Sequence, residues 1–518
     1  MIRSVAVAVA APAAISTRPV RIGFSSGTTE LMAVTICSLM AGAIYTLALG
    51  EDVNWDWQNY HEYNVWAVLS GRYQTDVLPP GFQSYFNPVV YFPVYYLRHF
   101  LPSPVGLAIM GAVHGLNLVP IYLLSRVLLR QAATLWLVAA SVLIAAVGPM
   151  TLSEVGTSFS DILIALPVVG GFTLILAADK SPRTMYLLAG LLLGAAVGLK
   201  LTNVVYAVGA AAAVLLATRP VTAVVGLGLG GLVGAAVTGG AWSLMAWRDL
   251  GNPIFPLFNA VFQSNEVVPI NLMDTQFMPH GIWDAVAYPF YWLAGDHRSS
   301  EFPFGDARFA VVTLLAALAI GVRIARRRAI FMPRDTQFIA LFAVSYLAWL
   351  GLFSIQRYAV VLELLCGPLI VLLLARMVEA QPASSAARAR WRRPWSAAYQ
   401  PQIPTQLAQP AIYFLLDKPV AYIAPLLPPQ SRFYQLADIG VPIVPGGGMD
   451  QRIRSGLGDR LPGGIRELHL QGKPVRADLL RRYGFAIDSS KPCAAIEGAQ
   501  LGTMLETCPL VAGRGPTD

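Results

Sequence analysis

Charged side chains are scarce in this chain. Asp, Glu, Lys and Arg make up 13% of its 518 residues, about half the roughly 25% usual in soluble proteins. Hydrophobic residues reach 55% and mean hydropathy is +0.56. That balance excludes an ordinary soluble enzyme and implies a polytopic membrane protein. Cysteine is nearly absent, with four residues. Cys37 and Cys366 fall inside apolar runs as small buried groups, whereas Cys493 and Cys508 lie in a polar tail and pair only in an oxidising compartment. No Cys/His spacing of the zinc type occurs. His61-Glu62 opens like a zinc-protease helix, but the second histidine would fall at position 65, which is Val65. The formal charge is +8, yet the basic residues sit between apolar runs and not on one basic face, so nucleic acid is excluded as a partner.

Crossing about 30 Å of hydrocarbon takes roughly 20 helical residues. Ten apolar runs approach or meet that length, near 31–49, 105–125, 132–149, 161–178, 184–199, 203–218, 221–243, 308–325, 336–354 and 358–376. Backbone groups in lipid must be satisfied within the segment, so these runs are helices, and nothing alternates as a membrane barrel would. The expected fold is an all-α bundle of about ten transmembrane helices, preceded by a cytoplasmic leader at 1–30 and spanning 31–376. Arg18 and Arg21, Arg126 and Arg130, Lys180 and Arg183, Arg219, Arg323 through Arg328, and Arg376 through Arg393 mark every second boundary as cytoplasmic. Loops 50–104 and 247–306 then face outward. The first contains a juxtamembrane stretch, Val89 to Phe100, expected to lie at the interface; the second is Trp- and Pro-rich, with interfacial helices of its own. A basic linker, 377–400, leads to a small α/β domain at 401–518, with strands expected at Ile412 to Leu416 and Glu467 to Leu470, a helix at Ala477 to Tyr483, and a glycine cluster, Gly446-Gly447-Gly448. Ten crossings place this domain in the cytoplasm; a dip of Ala411 to Leu427 into the bilayer would reverse that.

Gly226-Leu227-Gly228-Leu229-Gly230-Gly231 matches G-x-G-x-x-G, but it lies inside an apolar run without the strand that a dinucleotide site requires. Gly226, Gly230 and Gly234 at four-residue spacing instead suit close helix packing. The acidic stretch after the first run carries more. If 52–63 is helical, Asp52, Asp56 and Tyr60 share a face and His61 flanks it. Such a segment also serves as a Trp-anchored interfacial helix. What favours chemistry is its company on the outward side: Glu154 and Asp161 flank the next outward loop, Lys200 ends the 184–199 run, and Arg357 stands between the last two helices. Carboxylates facing two cations suit deprotonation of a hydroxyl beside a phosphate leaving group.

These residues resemble the GT-C superfamily of integral-membrane glycosyltransferases that use polyprenyl-phosphate sugars. Trp55-Asp56-Trp57-Gln58-Asn59-Tyr60-His61 is similar to the family's W-D-x-x-x-Y-H sequence. It is followed in order by Ser84-Tyr85-Phe86-Asn87-Pro88, Glu154 through Asp161, Gly198-Leu199-Lys200-Leu201-Thr202, Gly251-Asn252-Pro253-Ile254-Phe255-Pro256 and Arg357-Tyr358. The resemblance covers roughly 31–376. One departure is Ala359 after Arg357-Tyr358, where relatives often carry proline. The resemblance implies Asp56 as general base, with Asp52 as rival. Lys200 and Arg357 would hold the donor phosphate, Tyr60 and His61 would stand beside the acceptor, and Glu154 or Asp161 would orient the acceptor or hold a divalent cation, Mg or Mn. It implies an inverting single displacement onto a lipid, glycan or protein hydroxyl, at the periplasmic face of a bacterial inner membrane. The alternative is a transporter or flippase of lipid-linked saccharide; internally repeated halves, frequent in transporters, are not evident here.

Overall fold

The computed structural model describes residues 24–130, 133–178, 182–295, 298–300, 304–326, 331–377, 392–393, 402–437, 443–500 and 503–513. Most of the expected leader, and most of the linker 377–400, lie outside them. After α1 (Phe24–Leu49) come strand β1 (Glu51–Asp52), α2 (Glu62–Leu69), α3 (Phe92–Phe100), α4 (Ser103–Gly115), α5 (Leu118–Leu129), α6 (Leu135–Ala146), α7 (Pro149–Glu154), α8 (Ser160–Ala177), α9 (Pro182–Leu199) and α10 (Val204–Leu215). The chain continues through α11 (Pro220–Ala235), α12 (Ala241–Leu250), α13 (Asn259–Phe262), α14 (Ile282–Tyr291), α15 (Arg308–Arg326), α16 (Pro333–Leu352) and α17 (Val360–Met377).

Eight helices among the described residues are long and apolar enough to cross a membrane, with α4–α5 and α11–α12 each counting as one; two shorter apolar helices, Leu135–Ala146 and Leu201–Leu215, account for the remaining expected runs. Local chemistry sets their ends. Thr134 Oγ1 accepts from Leu137 N–H at the start of α6, and Pro220 and Pro333 begin α11 and α16, where a missing N–H costs nothing. The span containing α17 is 83% buried against 17% for α1, so α17 is the central post and α1 is left to lipid. The glycine run is packing surface, as expected: a Cβ on Gly190 or Gly194 of α9 would collide with the α11 backbone, and one on Gly230 or Gly234 of α11 with the α9 backbone. Residues 92–100 form α3, at nine residues too short to cross.

Beyond the bundle, β2 (Arg392–Arg393) precedes the C-terminal domain: β3 (Ile412–Leu415), β4 (Arg432–Gln435), α18 (Gly448–Gly456), β5 (Ile465–Leu470), α19 (Ala477–Arg481), β6 (Phe485–Ile487), β7 (Ala494–Gln500) and β8 (Thr503–Ala512). The sheet runs β4-β3-β5-β8-β6 with β7 on β8; β3 is parallel to β4 and β5, and β8 pairs antiparallel with β5, β6 and β7. Cys493 and Cys508 form a disulfide.

The placement of this domain corrects the expectation. β1 pairs with β2, Glu51 opposite Arg393 and Asp52 opposite Arg392, and Val77 bridges Tyr434 while Val267 bridges Ile443. Tyr63 and Ala67 of α2 share a core with Tyr422, Ile423 and Ala424. The domain therefore stands on the same face as loops 50–104 and 247–306, not across the bundle from them. Arg376, by contrast, holds Asp335 at 2.8 Å and the Leu128 carbonyl at 3.2 Å, at the ends of helices remote from that loop. Counting crossings weighs only apolar length and Arg/Lys placement; it cannot register that Ala411 to Leu427 is the interior of a folded domain whose surface fits loops 50–104 and 247–306. The bilayer dip falls for the same reason, because β3 is buried within its sheet. The glycine cluster has a packing role: Gly447 lies against the Asn265 carbonyl of the second loop, too close for a Cβ.

Candidate functional site

The acidic loop begins as a turn and not as a helix. Gly50 has φ +97°, and Asn54 N–H donates to Asp52 Oδ1 at 3.2 Å, a local side-chain turn that ends β1. Asn54 Oδ1 then accepts from Trp57 N–H at 2.8 Å and starts a helix whose residues Trp57–His61 form a π-helical turn. Asp52 therefore does not share a helical face with Asp56, which corrects the expected 52–63 helix. Its oxygens accept from Asn54 Nδ2 at 2.7 and 2.9 Å and from Ser158 N–H at 2.8 Å, and Arg98 lies 3.9 Å away. Arg98 also meets Glu51 at 3.1 Å and covers the Trp57 ring at 4.5 Å. Asp52 is thus a structural tie between two loops, and its candidacy as base weakens.

Asp56 keeps its expected partners. Its Oδ2 is paired with the Arg357 guanidinium and accepts from Tyr60 O–H at 3.2 Å, one helical turn on. Lys200 Nζ donates to both Asp161 oxygens, at 2.8 and 2.7 Å. The two cations share an aromatic wall: Lys200 lies 4.7 Å from the Tyr358 ring centre, and Arg357 5.9 Å from it and 5.1 Å from that of Phe159. Burial works to raise the Asp56 carboxyl, but the Arg357 guanidinium, helped by Lys200, outweighs it and holds it below the ordinary aspartate range. Burial and Asp56 push the Tyr60 phenol far up, so it remains a donor. His61 stacks on Tyr91 at 4.1 Å and shares a hydrogen bond with Ser158 Oγ at 2.9 Å. Burial pulls it down to about 3, so it is neutral at physiological pH. Asn87 positions Lys200 from behind, donating to the Gly198 carbonyl at 2.8 Å and the Thr238 carbonyl at 2.9 Å.

Glu154 is fully buried. One oxygen accepts from Ile162 N–H at 3.1 Å, and the other has no hydrogen-bond partner among the described residues. Burial, with Asp161 beside it, raises this carboxyl well above the usual range. The donor set does not fit a divalent cation. Asp161 gives both oxygens to Lys200, Glu154 offers one uncommitted oxygen, and among the described residues no three His, Cys, Asp or Glu gather as ligands.

Sequence reasoning missed the support beneath Arg357. Glu363, fully buried in α17, accepts from Thr151 N–H and Oγ1 (2.9 Å each), Met150 N–H (3.3 Å) and Gln356 Nε2 (2.9 Å), with Arg308 at 3.4 Å and Asp306 bonded to Arg308 in turn. A carboxylate inside an apolar run was the available signal. Ser158, Phe159 and Tyr91 were also missed; nothing local marks them, since their partners lie far along the chain.

The fold and the site define a polytopic helical membrane protein with a buried, paired-charge centre where its helices meet a soluble α/β domain. No family model and no curated protein matches this chain. Among solved structures it is similar to ArnT from Cupriavidus metallidurans, crystallised bound to undecaprenyl phosphate, with 15% identity and a TM-score of 0.44 over 68% of this chain and 60% of that one. The chain thus spans less than two thirds of that protein, and so distant a likeness carries no weight for function.

Proposed function

We propose that this chain is a membrane glycosyltransferase of the GT-C type, moving a sugar from a polyprenyl-phosphate donor to an acceptor hydroxyl at the face bearing the C-terminal domain. The observation that carries the reading is the meeting of Asp56, from the first loop, with Arg357, from the last, beside the Lys200–Asp161 pair. Four chain segments converge on one charged centre that a scaffold would not need. Asp56 accepts the proton of the acceptor hydroxyl as that oxygen attacks the anomeric carbon. The bond from carbon to phosphate oxygen breaks, and its electron pair leaves with the polyprenyl phosphate, whose growing charge is met by Arg357 and Lys200. A single displacement inverts the anomeric carbon. Tyr60 orients the base, and Glu154 presents its uncommitted oxygen to the acceptor side.

The test is transfer from a polyprenyl-phosphate sugar in detergent, with acceptors supplied as envelope lipid, glycan or protein fractions. Asp56→Asn is expected to lower the rate by at least about 10², the lower end for a general base, in a variant that still folds and elutes as wild type on gel filtration. Full transfer by that variant ends the assignment. Movement of intact lipid-linked sugar across vesicles without bond change would support the transporter instead.

A further inference from the structure

In this structure both cations assigned to the phosphate already have carboxylate partners: Arg357 is paired with Asp56, and Lys200 with Asp161 at 2.7 Å. We propose that the Asp56–Arg357 pair is a latch opened by the donor, whose phosphate displaces Asp56 from the guanidinium and thereby releases the base only once the donor is in place. The proposal rests on the reading above and adds a binding order, donor before acceptor.

The geometry supports an exchange of partners and not a rearrangement. Phe159 and Tyr358 flank the Arg357 guanidinium at 5.1 and 5.9 Å, and Tyr358 backs Lys200 at 4.7 Å. Rings on these sides hold each cation in place while its anion changes, so neither charge returns to water. Asp56 engages Arg357 through Oδ2, the oxygen that also accepts from Tyr60. The donor's phosphodiester brings two non-bridging oxygens, enough to contact Arg357 and Lys200 together, which the Asp56 carboxylate does not do here, and the monoester left when the sugar departs adds a third oxygen and further charge. Once Arg357 has turned to phosphate, Tyr60 still fixes the carboxylate. The burial that was offset by the guanidinium then favours protonation of Asp56, which makes it a stronger base at the moment one is needed.

Binding at equilibrium tests this without knowledge of the sugar. Farnesyl phosphate, which has the chemistry of the departing polyprenyl phosphate, is titrated onto the chain in detergent, comparing wild type with Asp56→Asn, Asp56→Glu, Asp161→Asn, Asp52→Asn and Arg357→Ala, each checked by gel filtration and melting temperature. Removing the internal competitor should tighten Asp56→Asn by roughly tenfold, equivalent to about 1.4 kcal/mol. Asp161→Asn releases Lys200 by the same logic and should also tighten, reading the exchange independently of Asp56. Asp56→Glu, which retains a competing charge, should stay within about twofold of wild type. Asp52→Asn removes a nearby carboxylate that does not hold Arg357 and should also stay close to wild type; equal tightening there would reduce the effect to general repulsion and overturn the latch. Arg357→Ala should lose at least about tenfold. If Arg357→Ala weakens binding while Asp56→Asn and Asp161→Asn do not tighten it, the phosphate site stands and the latch is wrong. If Arg357→Ala binds like wild type, the phosphate assignment itself fails.

Discussion

Replacing Glu363 with alanine is expected to destabilise the bundle severely, although this residue lies outside the reacting centre. Its carboxylate is fully buried and takes four hydrogen bonds, from Thr151 N–H and Oγ1, Met150 N–H and Gln356 Nε2, with Arg308 at 3.4 Å. Hydrogen bonds to a charged group are worth about 1.5–3 kcal/mol each, but they do not add. The alanine leaves four donor groups, on three residues, without their partner in the bundle interior and strips Arg308 of one of two carboxylates; the other, Asp306, remains at 2.6 Å. Breaking a buried pair typically costs about 3–5 kcal/mol, and the retained Asp306 argues for the lower end, about 3 kcal/mol. Glu363→Gln keeps the shape and one acceptor but turns an –NH₂ toward an existing donor, so about half that loss is expected. The assay is denaturant unfolding in mixed micelles followed by tryptophan fluorescence, alongside farnesyl phosphate binding, because Gln356 precedes Arg357 and should lose its anchor. An alanine variant within about 0.5 kcal/mol of wild type would refute the reasoning: the network would then contribute no net stability, as some buried ion pairs do not.

Two further outcomes follow from the packing and the charge states. Gly194→Ala puts a methyl into the Gly231 backbone and should cost about 1–3 kcal/mol as α9 and α11 part; Gly228→Ala, with open space around its Cβ, should melt within about 0.5 kcal/mol of wild type or higher. Equal effects in the two variants would remove the close-packing account. His61 is held at about 3 against an ordinary 6.5, so below 6.5 the unfolded chain takes a proton that the folded chain refuses. Its contribution is complete above that pH and is lost on acidification, approaching about 1.4 kcal/mol per pH unit. Melting curves between about pH 7 and 5 should therefore fall more steeply for wild type than for His61→Gln, and parallel slopes would show that His61 is not buried in its neutral form.

The bundle was legible because lipid leaves a chain few options: an apolar run of sufficient length must be helical. That Asp56, Lys200 and Arg357 would lie together was legible from their shared place at the rim of the apolar runs, and the structure joins Asp56 to Arg357 and sets both cations against Tyr358. Asp52 misled because helical spacing was read through a segment that Asn54 bends locally. The side taken by the C-terminal domain was not readable at all. It depends on pairings such as Glu51 with Arg393 and Val77 with Tyr434, which carry no periodic mark in sequence. The Glu363 cluster stood between these cases, with one carboxylate conspicuous in an apolar run and its partners scattered across three other segments.

The contact between α2 and residues 421–424 bears on how the protein is made. Residue 56 leaves the ribosome early, yet the buried surroundings of the helix that follows it are completed by side chains translated hundreds of residues later. A nascent or truncated chain would display its acidic loop uncovered. Competence therefore waits on a segment synthesised long after the acidic loop that it covers.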